Sequence, residues 1–473
     1  LSRFLAERKY RVYVTTLIGT FITVVDATAS FVAVPTIALD LGIGLPVAQW
    51  VILGNMLAVT AVLVPIGRLS DLLGRKRLFV AGYAILGAGA VLSGTATDMA
   101  LLIIGRVVMG FGAALTQATS IPIVVSVFPV GERGRVLGGQ MGVVGVGTVL
   151  GPVVGGLIVG LLGWRAIYWV TAAVALMVAL LGARVLKRRK ARSATPLARF
   201  DVGGALLSTA FLVVFLVALS NGSRLGWRDP GVLVALSGSA ALAAALWWQE
   251  RRAVDPILDV RLFRLRDFSV GLTSAVVAFT ASAGAYFLLP FYLQMVQGVR
   301  PELLGLLLTP AGVVTALASP VMGHLADRVG HRRIATLGLA LNGVGLLCLS
   351  QLGVATSLIW AVLLFMVLSL GIASFHAPNS SAILGAVDDD AHGVASGFIN
   401  LARNLGNVIG IAAGTAIVTA TMAARGLPPT FAAVTGQGDA ALLEGFVAGF
   451  NRATLLLGAL CVVLALGRVL RRV

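Results

Sequence analysis

Two opposite charges stand inside otherwise apolar stretches of the chain. Asp26 lies in Val25-Asp26-Ala27-Thr28 within the first stretch, and Arg106 lies in the fourth. At 1.5 Å rise per residue Asp26 falls roughly 22 Å from the start of its helix, and Arg106 roughly 9 Å in from the opposite side, so both reach nearly the same level of a hydrocarbon core about 30 Å thick. Ionisable side chains in lipid are costly, and each marks a functional position or a pair. Burial disfavours a carboxylate's charge and a neighbouring guanidinium favours it, so a movement that changes the balance can load and release a proton. Asp26 is therefore the candidate protonation site and Arg106 its tuning partner, with a permanent structural ion pair as the alternative. Arg403, in Asn400-Leu401-Ala402-Arg403-Asn404, is a further buried cation with no acidic partner in its own half. It can pair across the halves, bind an anionic group or snorkel to the edge. The scarcity of acids at mid-depth in the second half argues against strongly dicationic guests.

Scattered amides suit the wall of a cavity for amphipathic guests. The candidates are Asn55, Gln117, Gln294, Gln297, His376, Asn379, Asn404 and Asn407, with Arg403, and with Phe287, Phe291, Tyr292 and Phe375 as aromatic surface. His376 stands two residues before Pro378, and an imidazole there could titrate near neutral pH. No metal-ligand spacing, phosphate-binding loop or nucleophile constellation is visible, so neither an enzyme nor a metal site is expected. Cys348 and Cys461 lie in apolar runs and read as small hydrophobes.

The elements that must position these residues are membrane-spanning helices. Of 473 residues, 58% are apolar and 12% charged, with a mean hydropathy of +0.98, a balance that leaves too few polar groups for a water-soluble shell. A span needs about 20 apolar residues. Fourteen such runs can be counted, the first over 11–39 and the last over 446–470. The net charge of +17 comes from basic residues in the short breaks, which sets orientation and does not indicate nucleic-acid binding. Basic breaks alternate with sparse ones: Arg75-Lys76-Arg77, Arg133 with Arg135, Lys187 to Lys190, Arg251-Arg252 and Arg332-Arg333 follow even-numbered runs. Both termini should then be cytoplasmic. Only Asp388-Asp389-Asp390 runs against the rule. The stretch Arg8-Lys9-Tyr10-Arg11 resembles the start of a signal peptide, but the run behind it continues without a small-residue cleavage site and should be retained.

The chain is also written twice. Gly67-Arg68-Leu69-Ser70-Asp71-Leu72-Leu73-Gly74-Arg75-Lys76-Arg77 returns as Gly323-His324-Leu325-Ala326-Asp327-Arg328-Val329-Gly330-His331-Arg332-Arg333. These turns follow the second and tenth runs, which divides the chain into a six-helix bundle over 1–186, an inserted pair over 187–266 and a second six-helix bundle over 267–473. Internal symmetry in a membrane protein points to a transporter. Asp71, at a helix end, can accept hydrogen bonds from a neighbouring helix N-terminus, while Arg75 and Arg77 can pair carboxylates or lipid phosphates. In the fifth run Gly147, Gly151 and Gly155 recur every four residues, baring one face for close backbone approach, and Pro152 permits a bend.

The first turn resembles the Gly-x-Leu-x-Asp-x-x-Gly-Arg-[Arg/Lys] signature of the major facilitator superfamily. Together with the inserted pair it resembles the fourteen-helix drug:proton antiporter branch. The resemblance implies that Gly67, Asp71, Gly74, Arg75 and Arg77 form a latch that locks the halves in the outward-open state, Asp71 acting against the start of the thirteenth span near Gly393. His324 and His331 make the second copy the weaker lock. Gly142, Gly151-Pro152 and Gly155-Gly156 resemble the antiporter motif, and Gly105-Arg106 with Gly110 resembles the motif that joins Arg106 to proton coupling. The implied protein is an all-α antiporter in the inner membrane, with no cofactor, driven by the proton gradient, working as a monomer and exporting neutral or singly charged lipophilic compounds. A dedicated exporter of one antibiotic, fatty acid or lipid is the alternative, and a transport-dead sensor a remote one.

Overall fold

The computed structural model describes residues 7–186, 202–226, 228–252, 260–388, 392–428 and 440–470. The basic linkers between 187 and 199, the acidic pair Asp389-Asp390, most of the loop preceding the last helix and the tail Arg471-Arg472 lie outside them. Fourteen long helices account for almost everything described, with no strand among the described residues. They are α1 (Arg8–Asp40), α2 (Trp50–Leu73), α3 (Arg75–Gly94), α4 (Met99–Val127), α5 (Val130–Leu162), α6 (Arg165–Val185), α7 (Val202–Leu225), α8 (Pro230–Arg252), α9 (Arg266–Phe291), α10 (Pro301–Val329), α11 (His331–Leu349), α12 (Leu358–Leu384), α13 (His392–Ala423) and α14 (Ala440–Leu470). Thirteen are long and apolar enough to cross a membrane. The exception is α7, whose described apolar part, Leu206–Leu219, is shorter.

The duplication seen in the turns extends to packing. In the first six helices α3 pairs with α4, α1 with α5, α2 with α4 and α3 with α6; in the last six α11 pairs with α12, α9 with α13, α10 with α12 and α11 with α14. Glycines set the closest of these approaches, as expected where lipid supplies no hydrophobic drive between helices. A Cβ on Gly89 would lie 2.6 Å from the Met109 nitrogen, and one on Gly345 would lie 2.8 Å from the Leu368 Cα. Between the halves, α5 lies along α10, and on the other flank α7 of the inserted pair packs against both α2 and α13. Thr209 Oγ1 fixes that contact by donating to the Ala61 carbonyl at 2.8 Å.

Each repeated turn is a single glycine between two helices. Gly74 has φ +92° and Gly330 φ +105°, conformations open to glycine and strained for other residues. Gly74→Ala and Gly330→Ala should each cost about 1–3 kcal/mol, read as a lower thermal unfolding midpoint of the purified protein. Gly142→Ala is the control, because a methyl there meets open space.

Candidate functional site

The structure joins Asp26 and Arg106. Arg106 Nη1 donates to Asp26 Oδ2 at 3.0 Å, with the side chains 2% and 7% exposed. Arg106 Nε donates to the Val51 carbonyl at 2.7 Å, and Thr171 Oγ1 donates to Asp26 Oδ1 at 3.4 Å. The guanidinium carbon lies 5.7 Å from the centre of the Tyr168 ring. Three helices of the first half, α1, α4 and α6, thus enclose the pair, and the start of α2 adds the carbonyl. A buried ion pair persists only when such further bonds satisfy it.

The opposite face of α1 borders a cavity of about 860 Å³. Thr20, Thr23, Ala27 and Thr28 line it from α1, with Thr60 of α2, Tyr83 of α3, Thr116, Gln117 and Ser120 of α4, Gln140 of α5, and Val394, Gly397, Phe398, Asn400, Leu401, Arg403 and Asn404 of α13. Of the sequence candidates, Gln117, Arg403 and Asn404 belong to this wall; the remainder are placed elsewhere. Asn55 Nδ2 donates to the Arg106 carbonyl at 3.4 Å, and Asn379 Nδ2 to the Gly271 carbonyl at 3.0 Å, so both amides join helices. Phe291, like Phe287 and Phe375, is fully packed. His376 stacks edge-on against Phe279 at 5.4 Å, and Gln297 ties the Tyr292 hydroxyl to the Val354 carbonyl. Asn407 stands one turn past Arg403, beyond the lining of α13. The hydroxyl stripe Thr20, Thr23, Thr28 escaped the sequence reading, although its three-, four- and five-residue steps with Ala27 and Val24 trace one helical face.

Gln294 has a different task. It sits in the π-helical turn Tyr292–Val296 after α9, donates to the Val32 carbonyl at 2.8 Å and accepts from Thr36 Oγ1 at 3.1 Å. These bonds close the halves together on the side where α1 ends. The cavity lies toward the other side, where α1 begins: Val394 and Gly397 fall in the first two turns of α13.

The profile described as Major Facilitator Superfamily matches residues 16–411 and, in a second alignment, 272–469. The chain belongs to the Major Facilitator Superfamily. It is 29% identical over 408 residues to the riboflavin transporter RibZ of Clostridioides difficile (strain 630), covering 86% of this chain and 87% of that protein. It is 30% identical over 412 residues to the multidrug resistance protein Stp of Mycobacterium tuberculosis, covering 87% and 76% respectively. Among solved structures, a bacterial homologue of the human lysosomal transporter Spinster, inward-facing and unoccupied, superposes with a TM-score of 0.74 at 16% identity, over 98% of this chain and 97% of that one. That likeness concerns the fold.

Two superfamily motifs can now be located. In the first turn Gly74 makes the joint, and the side chain of Asp71 and the surroundings of Gly67 and Gly393 lie outside what is described. Arg75 Nη1 donates to the Pro122 carbonyl at 3.2 Å and Lys76 Nζ to the Ala183 carbonyl at 2.7 Å, tying α3 to α4 and α6 within one half; Arg77 is exposed. In the second turn His331 lies 3.8 Å from Asp327, and Arg332 pairs with Asp267 at the start of α9. The glycine motif of α5 stands where α1, α5 and α10 meet. Gly151 abuts Thr28, Gly155 abuts Ala29, and Gly156 with Pro152 abuts Gly305 of α10. Gly142 faces open space.

Proposed function

We propose that this superfamily member is a proton-coupled antiporter that exports lipophilic or amphipathic compounds across the cytoplasmic membrane. The observation that carries the reading is the double face of α1: Asp26 faces the sealed pair with Arg106, and Ala27 and Thr28, the next residues, face the cavity. One helix therefore touches both a proton-accepting group and the guest's space. A proton on Asp26 removes the charge that holds Arg106, α1 is released to shift, and the cavity wall shifts with it. By linkage, a guest that favours one position of α1 changes the proton affinity of Asp26 by the same factor.

In this reading the side where α1 begins is cytoplasmic, as the basic Arg75 to Arg77, Arg133 with Arg135, and Arg332-Arg333 would direct. The protein works as a monomer, needs no cofactor and draws on the proton gradient. The antiporter motif and the mycobacterial multidrug resistance relative support export. The riboflavin-transporting relative favours a second reading, a dedicated carrier of one metabolite. Susceptibility profiling of cells carrying the protein against a chemically varied panel separates the two: multidrug export protects against several scaffolds, dedicated export against one. A protecting compound is then loaded into proteoliposomes with a pH-sensitive dye. Its exit should drive proton movement in the opposite direction, and exit without proton movement would end the antiport reading.

A further inference from the structure

We infer that the cavity is built for organic anions, with Arg403 as the group that receives the guest's single negative charge. The inference rests on the export reading for the cavity being the guest's site, and it adds the class of guest. Arg403 lies on the wall from α13, and among the described residues no Asp or Glu lines the cavity. Among the described residues Arg403 has no hydrogen bond or ion pair. The mid-depth acid of α1, Asp26, is committed to Arg106 and Thr171 on the far face of its helix, and Asp40 at its end to Trp164 and Arg165. Arg403 is half-buried and a guanidinium cannot shed its proton, so its charge calls for a partner, and the space in front of it is the cavity.

The remaining wall complements that charge. Thr23 Oγ1 donates to the Thr20 carbonyl at 2.8 Å, Thr28 Oγ1 to the Val24 carbonyl at 2.9 Å, and Thr60 Oγ1 to the Met56 carbonyl at 2.7 Å. With their protons spent on their own helices, these hydroxyls offer acceptors. Val24, Leu63 and Leu401 supply apolar wall between them. A volume of about 860 Å³ lies within the range of drug-sized pockets. The complementary guest has one carboxylate, or an equivalent singly charged acid, at the end facing Arg403. It also has an apolar ring system and hydroxyl or N–H donors toward α1 and α2. A cationic guest would place a second positive charge beside an uncompensated one.

The test uses the purified full chain in nanodiscs and a panel of aromatic carboxylates of graded size, each matched with its neutral carboxamide and its aminomethyl cation. Binding is measured at equilibrium without a proton gradient, so its outcome does not depend on coupling; failure of the export reading shows separately, as absent proton exchange in proteoliposomes. At least one carboxylate should bind about tenfold or more tightly than its amide, the scale of a charge-assisted contact. Arg403→Gln should bring the carboxylate down to its amide's affinity, and Arg403→Lys should keep most of the preference. Thermal unfolding of both variants, removing or retaining a half-buried unpaired cation, should stay at or above the parent's midpoint. No carboxylate preference anywhere in the panel, including no carboxylate binding, would overturn the inference, as would tighter binding of the cations or an anion preference that survives Arg403→Gln.

Discussion

Asp26→Asn is expected to abolish substrate-driven proton movement in proteoliposomes while leaving downhill exchange of the same substrate measurable. The amide keeps the shape of the side chain and can still accept a bond from Arg106, but it carries no charge. Arg106, 2% exposed, would then be a buried cation without its counter-charge. Breaking a buried pair this way costs about 3–5 kcal/mol. At 1.4 kcal/mol per tenfold this amounts to about two to three and a half orders of magnitude in a conformational equilibrium, close at its upper end to the 5.5 kcal/mol or so that takes a two-state system from one extreme to the other. The variant should therefore rest in the conformation that protonation normally selects. Arg106→Gln differs in kind, because an isolated carboxyl escapes the cost of burial by binding a proton and a guanidinium cannot. It should uncouple transport with a smaller loss of thermal stability. The double variant should recover stability relative to Asp26→Asn without recovering coupling, the signature of a pair in a double-mutant cycle. If the Asp26→Asn protein still exchanged protons for substrate, the coupling role would be lost and the pair would be structural.

The meeting of Asp26 and Arg106 was legible from counting alone, since two helices crossing a slab of fixed thickness turn residue offsets into depths. The helix count was legible for the same reason, and it came closest to failing at α7, where the described apolar part is short. The cavity was not legible from residue type. Asn55, Asn379 and Gln294 are the amides a cavity would use, but helices packed in lipid need such groups to bond one another, and their neighbours settle which use prevails. The hydroxyl wall could have been found by periodicity, because Thr20, Thr23 and Thr28 share a face of α1. It was hidden by chemistry, since threonines that bond carbonyls one turn back in the same helix, as Thr23 and Thr28 do, look locally like ordinary helix residues. The glycine motif marked α5 as closely packed, yet nothing in its spacing tells which glycine meets which helix.

That division of labour between neighbouring glycines leads to the second large effect. Gly155 faces Ala29 of α1, within the first half, where an added Cβ would lie 2.7 Å from the Ala29 Cα. Gly156 faces α10 across the halves, where its Cβ would lie 3.2 Å from the Gly305 nitrogen. Both obstacles include backbone, which cannot swing aside as a side chain can, and overpacking of this kind costs typically about 1–3 kcal/mol. The two costs fall on different equilibria. Gly155→Leu strains a contact of α5 with α1 inside one bundle, so it should lower stability without acting on the contact between the halves. Gly156→Leu strains a contact that exists only while α5 and α10 lie together, so it should open the side on which α1 ends. The reporter is a disulfide between Thr36→Cys and Gln294→Cys, whose parent side chains meet at 3.1 Å, in a chain whose Cys348 and Cys461 are replaced by Ala. Oxidation should cross-link the parent and Gly155→Leu alike, and Gly156→Leu should cross-link about tenfold more slowly, the population change that about 1.4 kcal/mol gives. Gly142→Leu, whose side chain meets open space, should behave as the parent. An unchanged rate in Gly156→Leu would mean that the contact of α5 with α10 does not govern closure on that side, and that the glycines of α5 serve packing alone.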